Sequence, residues 1–376
     1  MRNTYEIVSY HSAHKRQVAK LQSYLWTQNA SLAARYFEWK YEENPYLQTP
    51  LIYLAFQGRE LVGMRGFYGA QWELGRPREV YSVLVADDLV ISPRHRDRGL
   101  VTLIMKAAFE DLAKRGYRHV FNLSGGRVTV MGSLAMGWKS AGALEPIDLT
   151  SGTTFHRRLR EFLTQKRFFW RYAGSPLFHS TAEREPFARF DRMSRLRANG
   201  SILLACEPRP DAMSELVVRL GHDGRIRHIR DREFFAWRFR NPLGIYRFLY
   251  LGDSQLDGYL VLKCAHPGAL EPNKVKIVDL EATQPVQRRE LLEVAIKSGR
   301  FAELFAWGAT LPVDTGPYLS ANGFRPADLE SRAHGCPCVL VRPVSPKSVD
   351  SDWVLGDRRL TDLANWDMRM LYTMAG

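Results

Sequence analysis

The chain has 376 residues, of which 45% are hydrophobic, 12% aromatic and 25% charged. That is the composition of a globular protein with material for two cores, and it excludes a low-complexity or disordered chain. An excess of 53 Lys and Arg over 40 Asp and Glu, a net charge of +13, favours anionic partners such as phosphates, nucleic acid or an acidic membrane surface. No apolar run approaches the roughly 18–20 residues needed to cross a bilayer. The opening MRNTYEIVSYHSAHKRQ lacks the apolar centre of a secretion signal, so the expected location is the cytoplasm.

In chain order, TPLIYLAF and LVGMRGFYGAQWE read as strands around the polar turn Gln57–Glu60, and the β-branched run Val80–Ser92 reads as a central strand. A basic turn, SPRHRDRGLV (Ser92–Val101), follows. Beyond it Leu100, Leu103, Ile104, Ala107, Ala108 and Leu112 form one apolar face at helical spacing, and Gly116 supplies the stop. YRHVFNLS is the next strand, RVTVMGSLAMG a short helix and WKSAGALEPI a closing strand. Residues 151–200 hold eleven Lys and Arg against four Asp and Glu, and Phe155, Leu159, Phe162 and Leu163 lie along one side of an expected helix there.

The pattern then repeats. Tyr36–Tyr46 (YFEWKYEENPY) followed by Leu51–Gly63 resembles Phe234–Gly244 (FFAWRFRNPLG) followed by Tyr246–Gly258. Trp39 aligns with Trp237, Lys40 with Arg238, Asn44-Pro45 with Asn241-Pro242, and Gly63 with Gly258. Repetition at a period of about 196 residues indicates duplicated domains, not a solenoid. The second copy continues with Lys274–Ala282 as central strand, VQRRELLEVAIKSG as helix, FAELFAWGA as strand, and PYLSANGFRP as closing helix and turn. The expected organisation is a first domain at 1–150, a basic segment at 151–200, a second domain at 201–343 and an extension at 344–376. The fold class is α/β (α+β), each domain a mixed, mostly antiparallel sheet flanked by helices.

The turn carries the chemistry. A helix starting at Gly99 aims unpaired N–H groups and its positive dipole end into the turn, glycine admits a close diphosphate, and arginines add charge-assisted hydrogen bonds. Asp87 to Pro93 followed by Arg96, Gly99 and Val101 resembles the acyl-CoA site of the GNAT (Gcn5-related N-acetyltransferase) superfamily, whose signature is Gln/Arg-x-x-Gly-x-Gly/Ala. Val101 departs from it. SLAMGWKSAGAL (Ser133–Leu144) resembles that family's Leu-Gly-Phe/Trp helix end. Trp39-Lys40-Tyr41 with Asn44-Pro45 resembles a subset associated with polysaccharide gene clusters. The resemblance extends from Tyr5 to about Thr150 and, more weakly, from Ser201 to about Pro343.

It implies two tandem GNAT-like domains and acetyl-CoA or another acyl-CoA as co-substrate. Pantetheine would lie on the backbone of Leu89, Val90 and Ile91, and the diphosphate over Arg96, Asp97, Arg98, Gly99, Leu100 and Val101, with Thr102 adding a hydroxyl. The family often places acids at Asp87 and Asp88 to orient or deprotonate the amine. Strand alternation lets only one of the two face the cleft. The family's tyrosine acid for the leaving thiolate falls on Ser133, with Tyr68 and Tyr81 as substitutes. In the second copy Thr283–Gln287 contains Pro285 and no glycine, so no coenzyme cradle is expected there. Asp279 and Glu281 match the first copy's acids in position.

The expected activity is N-acyl transfer to a small amine acceptor, such as an amino sugar or nucleotide-linked sugar, with Phe168, Phe169, Trp170 and Tyr172 available to stack on it. The alternatives are a Fem-like transferase using aminoacyl-tRNA, which the positive charge would suit, and a non-catalytic binder of acyl-CoA or of an anionic partner. Ten histidines and four cysteines (Cys206, Cys264, Cys336, Cys338) show no ligand spacing, so no metal is expected.

Overall fold

The computed structural model describes residues 5–150, 186–193, 202–270, 274–299, 301–327, 337–345, 347–374 and 376. The first half comprises β1 (Glu6–Ser9), α1 (Lys15–Gln22), α2 (Ala30–Phe37), β2 (Leu51–Gln57), β3 (Glu60–Leu74), β4 (Glu79–Ile91), α3 (Leu100–Lys114), β5 (His119–Gly125), α4 (Arg127–Ala135), β6 (Lys139–Ala143) and β7 (Pro146–Thr150). The second comprises α5 (Ala188–Met193), β8 (Ile202–Ala205), α6 (Pro210–Leu220), β9 (Arg227–His228), α7 (Arg232–Arg238), β10 (Gly244–Leu251), β11 (Gly258–Ala265), β12 (Val275–Ala282), α8 (Pro285–Gly299), β13 (Glu303–Trp307), α9 (Thr315–Ala321), β14 (Arg325–Pro326) and β15 (Cys338–Pro343). No helix among the described residues is long and apolar enough to span a membrane. The expected helix over Phe155–Leu163 and the aromatics Phe168–Tyr172 lie outside the described residues.

Two large sheets result, ordered β1-β2-β3-β4-β5-β15-β6, with β9 also on β3, and β14-β7-β13-β12-β11-β10-β8, beside a two-stranded ribbon of Val354–Leu355 and Arg358–Arg359. In each, a single parallel pair occupies the centre, β4 with β5 and β12 with β13, among antiparallel neighbours. The duplication is therefore visible strand by strand. Gly63 and Gly258 sit at equivalent places beneath α3 and α8. A Cβ would lie 3.2 Å from Ile104 at the first and 3.0 Å from Leu291 at the second, so both helices rest directly on their strands.

The expected boundaries at 150 and 343 do not separate the sheets. The stretch read as one closing strand after Trp138 is two: β6 stays in the first sheet, and β7 crosses to the second, between β13 and β14. In return β15 inserts between β5 and β6. Each unit thus donates the strand that completes the other. The run Val339, Leu340 and Val341 is wholly buried. Three consecutive apolar residues suit an interior strand covered on both faces. The segment expected as an extension at 344–376 is also structural, because Trp366 packs its ring 5.0 Å from Phe121 and 5.5 Å from Trp72 of the first sheet.

The repeated aromatic elements meet each other. Trp39 and Trp237 stack with ring centroids 5.0 Å apart and an interplanar angle of 12°. Each indole N–H donates to the other's backbone carbonyl, at 2.8 and 2.9 Å. The repeated asparagines play equal parts: Asn44 accepts from the N–H of Tyr46, and Asn241 from that of Leu243. Each closes the turn after its helix with a local side-chain bond.

Candidate active site

β4 and β5 pair only through Leu84–Val120 and Val85–Phe121 before diverging. Their divergence leaves the β5-facing backbone edge of β4 open from Ala86 onward. On its other edge β4 is bulged: Gly66 pairs with Asp87 and Met64 with Val90, so Asp88 and Leu89 together stand opposite Arg65. Asp88 adopts φ +50, a left-handed conformation that Asp tolerates better than most residues. The extra residue breaks the alternation expected of the acidic pair. Asp87 and Asp88 both reach one cation, the Nζ of Lys40, at 2.7 and 2.9 Å.

Lys40 sits on a π-helical turn, Glu38–Glu42, that continues α2; such turns recur at functional sites. Its ammonium is fully buried and lies 5.2–5.8 Å from the ring centres of Trp26, Tyr36, Tyr41 and Tyr68. Asp88 also accepts from Gln22 Nε2 (2.7 Å), Trp26 Nε1 (2.6 Å) and the Tyr41 hydroxyl (2.6 Å). Tyr41 gets there because Gly66 has no side chain, since a Cβ would lie 1.9 Å from the tyrosine oxygen. Burial opposes ionisation of Asp88, but Lys40 and these donors outweigh it and hold its carboxyl below the usual range. With four donors on two oxygens and no solvent contact, Asp88 has no capacity left to take a substrate proton. The expectation of a catalytic role for it is corrected to an anchoring one. Both acids line a cavity of about 160 Å³ at the β4–β5 divergence, together with Trp26, Arg65, Tyr68, Asn122 and Thr129, but only Asp87 keeps part of its side chain, 27%, exposed.

The basic turn opens on a larger cleft of about 1240 Å³. Leu89, Val90, Ile91, Arg96, Asp97, Gly99, Leu100, Val101 and Thr102 all line it; Arg98, expected among them, is exposed and does not. Gly99 is the N-cap of α3 with φ +72, and no side chain caps the helix. Its first N–H groups are therefore left to water or to an anion. Ser133 lines the same cleft, and Thr129, one turn earlier on α4, lines both cavities. Of the two tyrosine substitutes, Tyr81 donates to Glu79 and faces a separate groove. Tyr68 lines the small cavity, its hydroxyl 3.3 Å from the carbonyl of Tyr372, and burial keeps it protonated far above the ordinary range.

A family model described as an acetyltransferase (GNAT) domain matches residues 6–131. This part of the chain is a GNAT domain. Among curated proteins nothing matches the chain. Among solved structures, a GCN5-related N-acetyltransferase from Anabaena variabilis superposes with a TM-score of 0.56 at 10% identity, covering 91% of this chain and 73% of that one. A conserved protein of unknown function from Enterococcus faecalis, titled a probable N-acyltransferase, gives 0.54 at 12%, with 91% and 72% covered. A tandem GNAT protein from the clavulanic acid biosynthesis pathway gives 0.53 at 12%, with 92% and 100% covered. The chain thus has the tandem GNAT fold.

The second unit keeps the architecture without the glycine turn. Where the GNAT domain has an uncapped glycine turn, α8 begins at Pro285, and Gln287 Oε1 accepts from the N–H of Gln284 and the hydroxyl of Thr283. Asp279 accepts from Tyr259 (2.8 Å), Glu281 pairs with Arg230 (2.7 Å) and Arg369 (3.0 Å), and burial raises the Asp279 carboxyl above its usual range. The Arg369 guanidinium also reaches the carbonyls of Leu280 and Thr310, so the C-terminal segment is fastened against the end of β12.

Pattern reading passed over Lys40, Gln22, Trp26, Arg65, Asn122 and Thr129. For Lys40 a signal existed. A cation kept at the same place in both repeats, Lys40 and Arg238, amid aromatics, calls for a buried anionic or carbonyl partner.

Proposed function

We propose that the chain is an acyl-CoA-dependent N-acyltransferase with one working site, in the GNAT domain, acting on a primary amine of a small molecule. The observation that carries this reading is the uncapped N-terminus of α3 at Gly99, opening on a cleft along the free edge of β4 that adjoins, at Leu25, Leu89 and Thr129, the smaller cavity lined by Asp87. Acyl-CoA supplies a thioester carbonyl open to attack by an amine. The N–H groups beginning α3, with Arg96, hold its diphosphate, and the backbone of Leu89–Ile91 pairs with its pantetheine arm. Asp87 accepts a hydrogen bond from the amine and then, directly or through water, its proton as the N–C bond forms and the C–S bond breaks. Thr129 and Ser133, presented side by side on α4, donate to the departing sulfur, with Tyr68 as the protonated donor on the acceptor side. The uncapped turn speaks for a coenzyme A donor over an aminoacyl-tRNA.

The test is calorimetric titration of the protein and of Gly99→Asp with acetyl-CoA. Wild type is expected to bind, and the variant to bind at least ~10-fold more weakly, because an added carboxylate repels a diphosphate within a few ångströms. Failure of the wild type to bind acetyl-CoA or longer acyl-CoAs would overturn the proposal.

A further inference from the structure

Arg65 is 2% exposed, yet no hydrogen bond or ion pair from its guanidinium to any described residue is found, and its Nε is buried without a partner. Buried arginines are otherwise paired here: Arg230 with Asp279 and Glu281, Arg227 with Glu73, Arg238 with three carbonyls. The neighbouring acids, Asp87 and Asp88, make no ion pair or hydrogen bond with Arg65; both instead reach Lys40. Burial pushes its pKa below the ordinary arginine range, though arginine stays charged under any physiological condition. An unpaired buried cation is costly unless a ligand completes it. Arg65 stands opposite the β4 bulge and lines the small cavity that contains Asp87.

Resting on the reading of that cavity as the acyl-transfer site, we infer that Arg65 recognises a carboxylate carried by one of the two reactants, on the amine acceptor or at the far end of the acyl chain. A planar guanidinium pairs with a carboxylate through two parallel hydrogen bonds. The cavity, about 160 Å³, offers room for roughly five waters at about 30 Å³ each. That suits a carboxylate with two or three further heavy atoms and excludes a large anionic group. Asp87 on the same wall suits an ammonium, so the pair Asp87 and Arg65 presents opposite charges to opposite ends of a small zwitterion.

The experiment has two arms, each run on wild type, Arg65→Met and Arg65→Lys. In the first, protein saturated with acetyl-CoA is titrated with the proteinogenic amino acids, with β-alanine and 4-aminobutyrate, and with the corresponding amides. In the second, succinyl-CoA and malonyl-CoA are compared with acetyl-CoA. At least one acid is expected to bind 10-fold or more tighter than its amide, or one dicarboxylic acyl-CoA 10-fold tighter than acetyl-CoA; the arm that responds identifies the source. Arg65→Met should abolish the preference and Arg65→Lys restore part of it, with acetyl-CoA affinity within about twofold of wild type in both. Should Arg65→Met lose acetyl-CoA binding, Arg65→Lys and Arg65→Gln decide in its place. No preference in either arm, or one that survives removal of the guanidinium, overturns the inference. Loss of acetyl-CoA binding by the wild type would instead overturn the transferase reading.

Discussion

Lys40→Met removes the cation shared by Asp87 and Asp88 while preserving the length and packing of the side chain. The Nζ lies 2.7 Å from Asp87 and 2.9 Å from Asp88, and the Asp88 carboxylate is wholly buried. Without Lys40, Asp88 keeps three neutral donors and faces Asp87 as an uncompensated like charge. Breaking a buried pair by removing one partner costs about 3–5 kcal/mol. With a urea dependence of about 3 kcal/mol per molar, the midpoint should fall by roughly 1 to 1.7 M at pH 7. The pH dependence makes the test sharper. In wild type the Asp88 carboxyl is held below its unfolded value of 3.8, so its stabilising contribution is present above that pH and is lost as pH falls through the folded value. In Lys40→Met burial acts unopposed by the ammonium and the folded pKa moves up from its wild-type position. The variant then gains stability relative to wild type as Asp88 takes up a proton. Denaturation curves from pH 7 to pH 4 should show the gap narrowing, and Asp88→Asn should cost less beside Lys40→Met than alone. A gap under 1 kcal/mol, or one constant with pH, would refute the picture of an ion cluster anchored by Asp88.

His228 should set part of the acid sensitivity. It is buried among the rings of Tyr46, Trp72, Phe234 and Tyr372, and burial lowers its pKa to about 3. Between that value and 6.5 the unfolded chain binds the extra proton, so stability falls as pH falls, by about 1.4 kcal/mol at pH 5.5. His228→Phe should flatten that slope in thermal melts at pH 7.5 and 5.5, and an unchanged slope would show the histidine is not the group responsible. The strand exchange predicts that residues 1–150 do not fold alone, because β5 and β6 lose β15 between them and β7 loses its sheet. Size-exclusion chromatography and circular dichroism of that fragment should find aggregate or unfolded chain; a monomer with a cooperative melt would refute the interdependence.

Much of this molecule was legible from residue order. The β-branched run at Val80–Ser92, the apolar face from Leu100 to Leu112 and the Asn-Pro stops are local signals, and β4, α3 and the paired turns obey them. The basic turn marked the cleft for the same reason, since glycine before an amphipathic helix is local chemistry. What escaped was set by long-range pairing. Nothing within WKSAGALEPI says that its end belongs to another sheet, because β7 is defined by its partner β13 some 155 residues away. The bulge at Asp88 depends on the register with β3 and reverses an inference drawn from alternation. Arg65 looked like any strand arginine until burial left its guanidinium over the Phe67 ring with no hydrogen-bond or ion-pair partner among the described residues.

The repeated cation marks a difference between the two copies of the fold. Lys40 and Arg238 follow the stacked tryptophans at equivalent positions, both buried. Lys40 turns to the acids of β4, neutralising Asp88 and leaving Asp87 at the open divergence of the strands. Arg238 turns to the carbonyls of Leu371, Thr373 and Gly376 and so fastens the segment whose Arg369 pairs with Glu281. The same segment reaches the first unit, where Met374 lines the small cavity. A guanidinium, with five donors in a fixed fork, can hold several carbonyls at once where an ammonium serves two carboxylates. Arg238→Lys is therefore not a conservative change. It should loosen the C-terminal segment from the second unit and, through Met374, alter the small cavity beside Asp87, while leaving the turn at Gly99 untouched.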